Sequence, residues 1–120
     1  MPPRVLIVDD HPGFRTWVRA MLEEDGLQVV GEASTGAEAV RLAGTQLPDI
    51  VLLDVQLPDM SGFDVAEQLS SGRAIVVLTS SREAGDFRRR LVRTSAAGFV
   101  SKAALTGTRL TSFVEGAGRP

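Results

Sequence analysis

The chain has no cysteine, no tyrosine, one tryptophan and one histidine, and only one of its 13 basic residues, Lys102, is a lysine. Without cysteine there is no disulfide framework and no thiolate chemistry, so the fold must be held by its core. No apolar run approaches the roughly 20 residues of a membrane span, and the N-terminus lacks a charged and apolar leader. These absences point to a soluble, cytoplasmic protein with no membrane partner. Each half is also poor in one sign of charge. Residues 1–64 carry 4 basic and 11 acidic side chains, a balance of −7, whereas residues 65–120 carry 9 and 4, a balance of +5. That split argues against a chain-wide nucleic-acid footprint but leaves room for a local basic patch. Arginine bias usually reflects genomic composition, so by itself the lone lysine means little.

The 120 residues suit one domain with a sizeable core. Val5–Val8, Ile50–Leu53, Ala74–Leu78 and the short Gly98–Val100 read as strands buried on both faces. Gln28–Ala33 mixes Val29 and Val30 with Gln28 and Glu32, as an edge strand would. Between them lie helical patterns. Phe14, Trp17, Val18, Met21 and Leu22 recur at helical spacing, and Gly26 stands where that helix should stop. Thr35 to Glu38 reads as a capping box, and Ser61 to Asp64 opens a further helix. Phe87 with Leu91 marks a weaker fourth helix, and Leu110, Phe113 and Val114 a fifth. The ends, Met1–Pro3 and Gly116–Pro120, look loose. Alternating strands and helices predict an α/β, doubly wound, five-stranded parallel sheet with helices on both faces. Five strands suit the flavodoxin-like order 2-1-3-4-5.

In such a sheet all strands end at one rim, where open α/β proteins build their sites. Strand 1 leads into Asp9 and Asp10, strand 3 into Asp54, strand 4 into Thr79 and strand 5 to Lys102. Close like-charged pairs cost roughly 4 kcal/mol each at an effective dielectric near 20. One lysine cannot balance three carboxylates, so the cluster calls for protons or a hard, oxygen-seeking cation such as Mg²⁺. Mg²⁺ held that way shares its coordination with phosphoryl oxygens, for which Thr79 and Lys102 are suitable partners. Asp54 is then a candidate nucleophile, because carboxylates form acyl phosphates. Taken singly, each residue has a plainer reading. A strand-end aspartate is more often a turn or cap residue, and Asp9-Asp10 could cap the first helix. The convergence of all five reverses that preference.

The stretches "VLIVDDHPGFR", "DIVLLDVQLPDMSGFD", "IVVLTSS" and "GFVSKAAL" resemble the receiver (CheY-like) domain of two-component response regulators, over about residues 4–115. "DDHPGFR" and the Gly-Phe-x-x-Lys ending are most similar to the NarL/FixJ subfamily. The resemblance implies that Asp54 accepts phosphate from a sensor histidine kinase, with Asp9, Asp10, Asp54 and the Gln56 carbonyl holding Mg²⁺ directly or through water. It implies that Thr79 and Lys102 bind the phosphoryl group, and that Phe99 turns inward on activation. The helix 4, strand 5 and helix 5 face would then meet a downstream protein or a second copy of the chain. Such a protein is a signalling switch that catalyses its own aspartyl phosphorylation and dephosphorylation, not an enzyme acting on a free substrate. Ser80 departs from the small residue usual at its position, and Ala103 from a frequent proline. Subfamily members usually continue into a DNA-binding domain. Residues 1–120 encode one receiver domain alone, so no DNA binding by this chain is expected.

Other marked residues have plainer readings. His11 is expected in the first turn of helix 1 without a chemical role, Trp17 as core or semi-exposed packing, and Phe63 as exposed. Arg88-Arg89-Arg90, with Arg82 and Arg93, reads as a solvated face near the output surface. Two other functions compete with the switch. A phosphorylation-independent receiver-like interaction module has no reason to keep the charge cluster. A haloacid-dehalogenase-type phosphatase needs a second aspartate where Gln56 stands.

Overall fold

The computed structural model describes residues 2–117, so the expectations for Met1 and residues 118–120 lie outside the described residues. In chain order the elements are β1 (Arg4–Val8), α1 (Pro12–Glu24), β2 (Gln28–Ala33), α2 (Gly36–Gln46) and β3 (Ile50–Asp54). They continue with α3 (Gly62–Leu69), β4 (Ile75–Ser80), α4 (Arg88–Arg93), β5 (Gly98–Ser101) and α5 (Gly107–Ala117). The five strands form one parallel sheet in the order β2-β1-β3-β4-β5, as the sequence predicts.

Alternation within the strands divides the core into two layers. Val5, Ile7, Ile50, Leu52, Val77 and Val100 face α1 and α5, meeting Val18, Leu22 and Leu110. Leu6, Val8, Val51, Leu53, Val76 and Leu78 face the other way, onto Ala39, Phe63, Val65 and Ala66 of α2 and α3. The central strands are apolar at nearly every position because both faces are covered. Gly26 adopts φ +91° after α1, a left-handed turn that a side chain would strain.

Several boundaries shift. Ala74 precedes β4, which extends past Leu78 through Thr79 to Ser80. Backbone pairing does not require an apolar side chain, so the ladder outlasts the hydrophobic run, and Thr79 pairs with Asp54. Thr35 Oγ1 accepts from Glu38 N, but Glu38 returns to Ser34 N, one residue earlier than in a strict capping box. The weak fourth helix is a 3₁₀ turn, Ala84–Phe87, followed by the six-residue α4, and Arg82 precedes both. Pro3 is tied down, its carbonyl accepting from Gln28 N at 2.9 Å. Trp17 is exposed, not core or semi-exposed as expected, with its ring tilted against Phe14 at a centroid distance of 5.9 Å.

Candidate functional site

Asp54 closes β3 beside Thr79, and Asp9 follows β1 directly, so the sheet sets their backbones side by side. Asp9 and Thr79 are fully buried and Asp54 nearly so, whereas Asp10 is exposed. The Lys102 ammonium reaches in from the end of β5, 2.7 Å from Asp9 Oδ2 and 3.1 Å from Asp54 Oδ2. It also lies 4.2 Å from the centre of the Phe14 ring, a cation–π contact that fixes its approach. Gln56 N donates to Asp54 Oδ1 at 2.9 Å. Donor atoms of Asp9, Asp10, His11 and Asp54 all lie within 4.8 Å of one another. Asp10, His11 and Asp54 open on a cavity of about 200 Å³ that Gln56, Ser80 and Lys102 also line.

The charges are unbalanced. Burial by itself would push the Asp9 carboxyl up, but the Lys102 and His11 N–H hydrogen bonds outweigh it and hold it below the usual carboxylate range. At Asp54 burial dominates, and with Asp9 alongside it outweighs the Gln56 N–H, pushing the carboxyl up to about 6. Burial would lower the Lys102 ammonium, yet Asp9 and Asp54 hold it raised. One ammonium thus serves two buried carboxylates while Asp10 has none of it. Thr79 Oγ1 is buried with no hydrogen-bond partner among the described residues. A buried orphan hydroxyl and a surplus of carboxylate are features that a cation with a phosphoryl group would resolve together.

Residues 5–115 match the response regulator receiver domain family. The chain belongs to that family. This receiver domain is 41% identical over 104 residues to the response regulator GacA of Pseudomonas viridiflava, covering 84% of this chain and 49% of that protein. Its structure superposes on the signal receiver domain of NarL from Mycobacterium tuberculosis with a TM-score of 0.82 at 36% identity, covering 98% of each chain. A LuxR-family two-component response regulator from Aurantimonas sp. SI85-9A1 superposes with a TM-score of 0.84 at 31% identity, covering 99% of this chain and 88% of that one. The chain spans about half the length of the curated relatives it matches. It is a receiver domain of two-component response regulators, a family of signalling switches phosphorylated by histidine kinases. Among the described residues no helix is long and apolar enough to cross a membrane.

Local packing explains how the receiver's rim is held. Gly62 starts α3 against β3 itself; a Cβ there would collide with the Asp54 carbonyl and lie 2.8 Å from Val55 Cα. Gly62 N donates to Val55 O at 2.7 Å, closing the loop that carries Gln56. Pro58 sits exposed in that loop. Asp59 ties it to α2, accepting from Gly36 N at 2.8 Å and Ala37 N at 3.0 Å, which holds its carboxyl below the usual range. Ser80 Oγ accepts from Arg82 N at 3.1 Å and shapes the turn after β4.

The sequence-derived set Asp9, Asp10, Asp54, Gln56, Thr79 and Lys102 therefore gathers at one rim, while Phe99 lies apart as half-buried packing. Phe99 stacks on Phe87 at 5.8 Å, and Phe87 on Phe63 at 6.1 Å. Phe63 corrects an expectation, being buried with only 6% of its surface exposed. The Arg90 guanidinium covers its ring at 4.4 Å and donates to Ser61 Oγ, so Arg90 is packed and not merely solvated. Asp9 and Asp10 do not cap α1. His11 is its N-cap and its side chain makes no capping bond. Instead His11 Nδ1 lies 3.0 Å from Asp9 Oδ1 and 3.1 Å from Asp10 Oδ1. Sequence reasoning also missed Asp59 and Arg15, whose guanidinium donates to the Asp9 carbonyl at 2.6 Å. Arg15 sits one helical turn past His11, and that spacing was the available signal.

Proposed function

We propose that Asp54 is the phosphoacceptor of this receiver and that residues 4–115 act as one phosphorylation-controlled switch. The observation that carries the reading is the seat of the Asp54 carboxylate, between the Lys102 ammonium and the Gln56 N–H, with Asp9 and Asp10 beside it. Asp54 attacks the phosphorus of a phosphohistidine or small phosphodonor. A carboxylate O–P bond forms, the donor's bond to phosphorus breaks, and the donor departs with that electron pair. Hydrolysis of the acyl phosphate later returns the carboxylate and inorganic phosphate.

The carboxylates of Asp9, Asp10 and Asp54 fit Mg²⁺ as oxygen ligands, with the Gln56 carbonyl as a further one, in a site with excess negative charge. Bound there, the ion would neutralise charge developing on the transferring group. Lys102 adds a positive charge beside Asp54, and the Gln56 N–H orients the attacking carboxylate. Thr79 has a free buried hydroxyl to donate to the phosphoryl group, which would draw the loop after β4 toward the site. Phe99 then moves toward the vacated space, and the α4, β5 and α5 face is re-presented to a protein partner or a second copy. The same site would also speed hydrolysis of its own acyl phosphate.

Wild type and Asp54→Asn are incubated with acetyl phosphate and Mg²⁺ and weighed by intact mass spectrometry. The reading expects one added phosphoryl group in wild type, none in Asp54→Asn, and none with EDTA. Equal labelling in both proteins, or labelling indifferent to EDTA, overturns it.

A further inference from the structure

His11 is the one member of the strand-end cluster that the phosphoacceptor reading leaves unused. Its backbone is fixed, as N-cap of α1 with Pro12 following and its N–H donating to Asp9 Oδ1 at 2.8 Å. Its imidazole does not cap the helix and is 68% exposed, at the wall of the 200 Å³ cavity shared with Asp10, Asp54 and Gln56. Nδ1 faces two carboxylate oxygens at once, at 3.0 Å and 3.1 Å. A single N–H could only be shared weakly between them, and Asp9 has other partners: Oδ1 has the His11 N–H and Oδ2 faces the Lys102 ammonium.

A cation satisfies all three donors. With metal–donor bonds of about 2.1 Å, neighbouring vertices of an octahedron are about 3.0 Å apart. That is the observed spacing of Nδ1 from both oxygens. Resting on the metal reading above, we propose that His11 Nδ1 is a fourth side-chain ligand and biases this receiver toward later first-row divalent ions such as Co²⁺ relative to Mg²⁺. Mg²⁺ strongly prefers oxygen, whereas imidazole suits first-row transition ions, and affinity for nitrogen-containing sites rises from Mn²⁺ to Co²⁺.

The chain holds a single histidine, so an imidazole nitrogen signal in untagged protein has one source. Mn²⁺ is added to untagged wild type and His11→Ala, and electron spin echo modulation is recorded for imidazole ¹⁴N coupling. Titration calorimetry then gives Co²⁺ and Mg²⁺ affinities for both proteins. The expected result is nitrogen coupling in wild type that His11→Ala lacks, with the Co²⁺-to-Mg²⁺ affinity ratio falling about tenfold or more. Melting curves in EDTA establish that the variant is folded, as expected for an exposed N-cap side chain that makes no capping bond. If the ions bind but wild type shows no nitrogen coupling, or the ratio is the same in both proteins, His11 is not a ligand and the carboxylate site stands. If no divalent ion binds wild type, this inference and the metal reading fall together.

Discussion

Asp54 ends an apolar strand because the neighbouring residues supply what a buried carboxylate lacks, though incompletely. Lys102 and the Gln56 N–H favour its charge, while burial and Asp9 oppose it and carry its pKa from the ordinary 3.8 to about 6. Between those two values the folded chain keeps a proton that the unfolded chain releases. Stability without metal therefore falls as pH rises through that window, by about 3 kcal/mol at 1.36 kcal/mol per pH unit. Asp54→Asn, which cannot ionise, should melt higher than wild type in EDTA at pH 7, with the difference gone near pH 4. Thermal melts across that range check it, and an Asn variant that melts lower at pH 7 contradicts the assigned charge balance. The five charged and hydroxyl residues of the rim were legible in the sequence because strand ends converge. Phe63 was not, since its burial depends on how closely Gly62 lets α3 approach β3.

Elements hold the rim through contacts remote in sequence. Asp59 bonds the first two free N–H groups of α2 from the loop after β3, while Thr35 bonds the third. Nothing local in the sequence marks Asp59 as a cap, because its helix starts 23 residues earlier. Its depressed pKa means that its contribution exists above the ordinary carboxylate range and is lost as pH falls through the folded value. Asp59→Ala should lower the melting temperature at pH 7 and expose the first turn of α2 to hydrogen exchange, with the gap from wild type narrowing in acid. Equal exchange at Gly36 and Ala37 in the two proteins would sink that role. The strand β4 illustrates what periodicity cannot fix: its apolar run ends at Leu78, but the backbone ladder carries Thr79 into burial. The weakness of α4 was readable, because only Leu91 among its residues packs against the core.

On the scale of the molecule, the two-layer core and the strand order were legible because each central strand carries an unbroken apolar run and the longer helices each have one apolar stripe. The aromatic cluster of Phe63, Phe87 and Phe99 was not, because its tilted rings come from α3, the turn after β4 and β5. If Thr79 couples the phosphoryl group to that cluster, a beryllofluoride mimic should alter hydrogen exchange over residues 80–101 in wild type. Thr79→Ala should still take phosphate while showing much less of that change. Unchanged exchange in wild type with the mimic bound would remove the coupling. The central claim, that Asp54 is where phosphate lands, has a more direct measurement. After phosphorylation, borohydride reduces an aspartyl phosphate to homoserine, and tandem mass spectrometry locates it. The account predicts homoserine at position 54 alone; homoserine at position 9 or 10, or none in a protein that has gained phosphate, would contradict it.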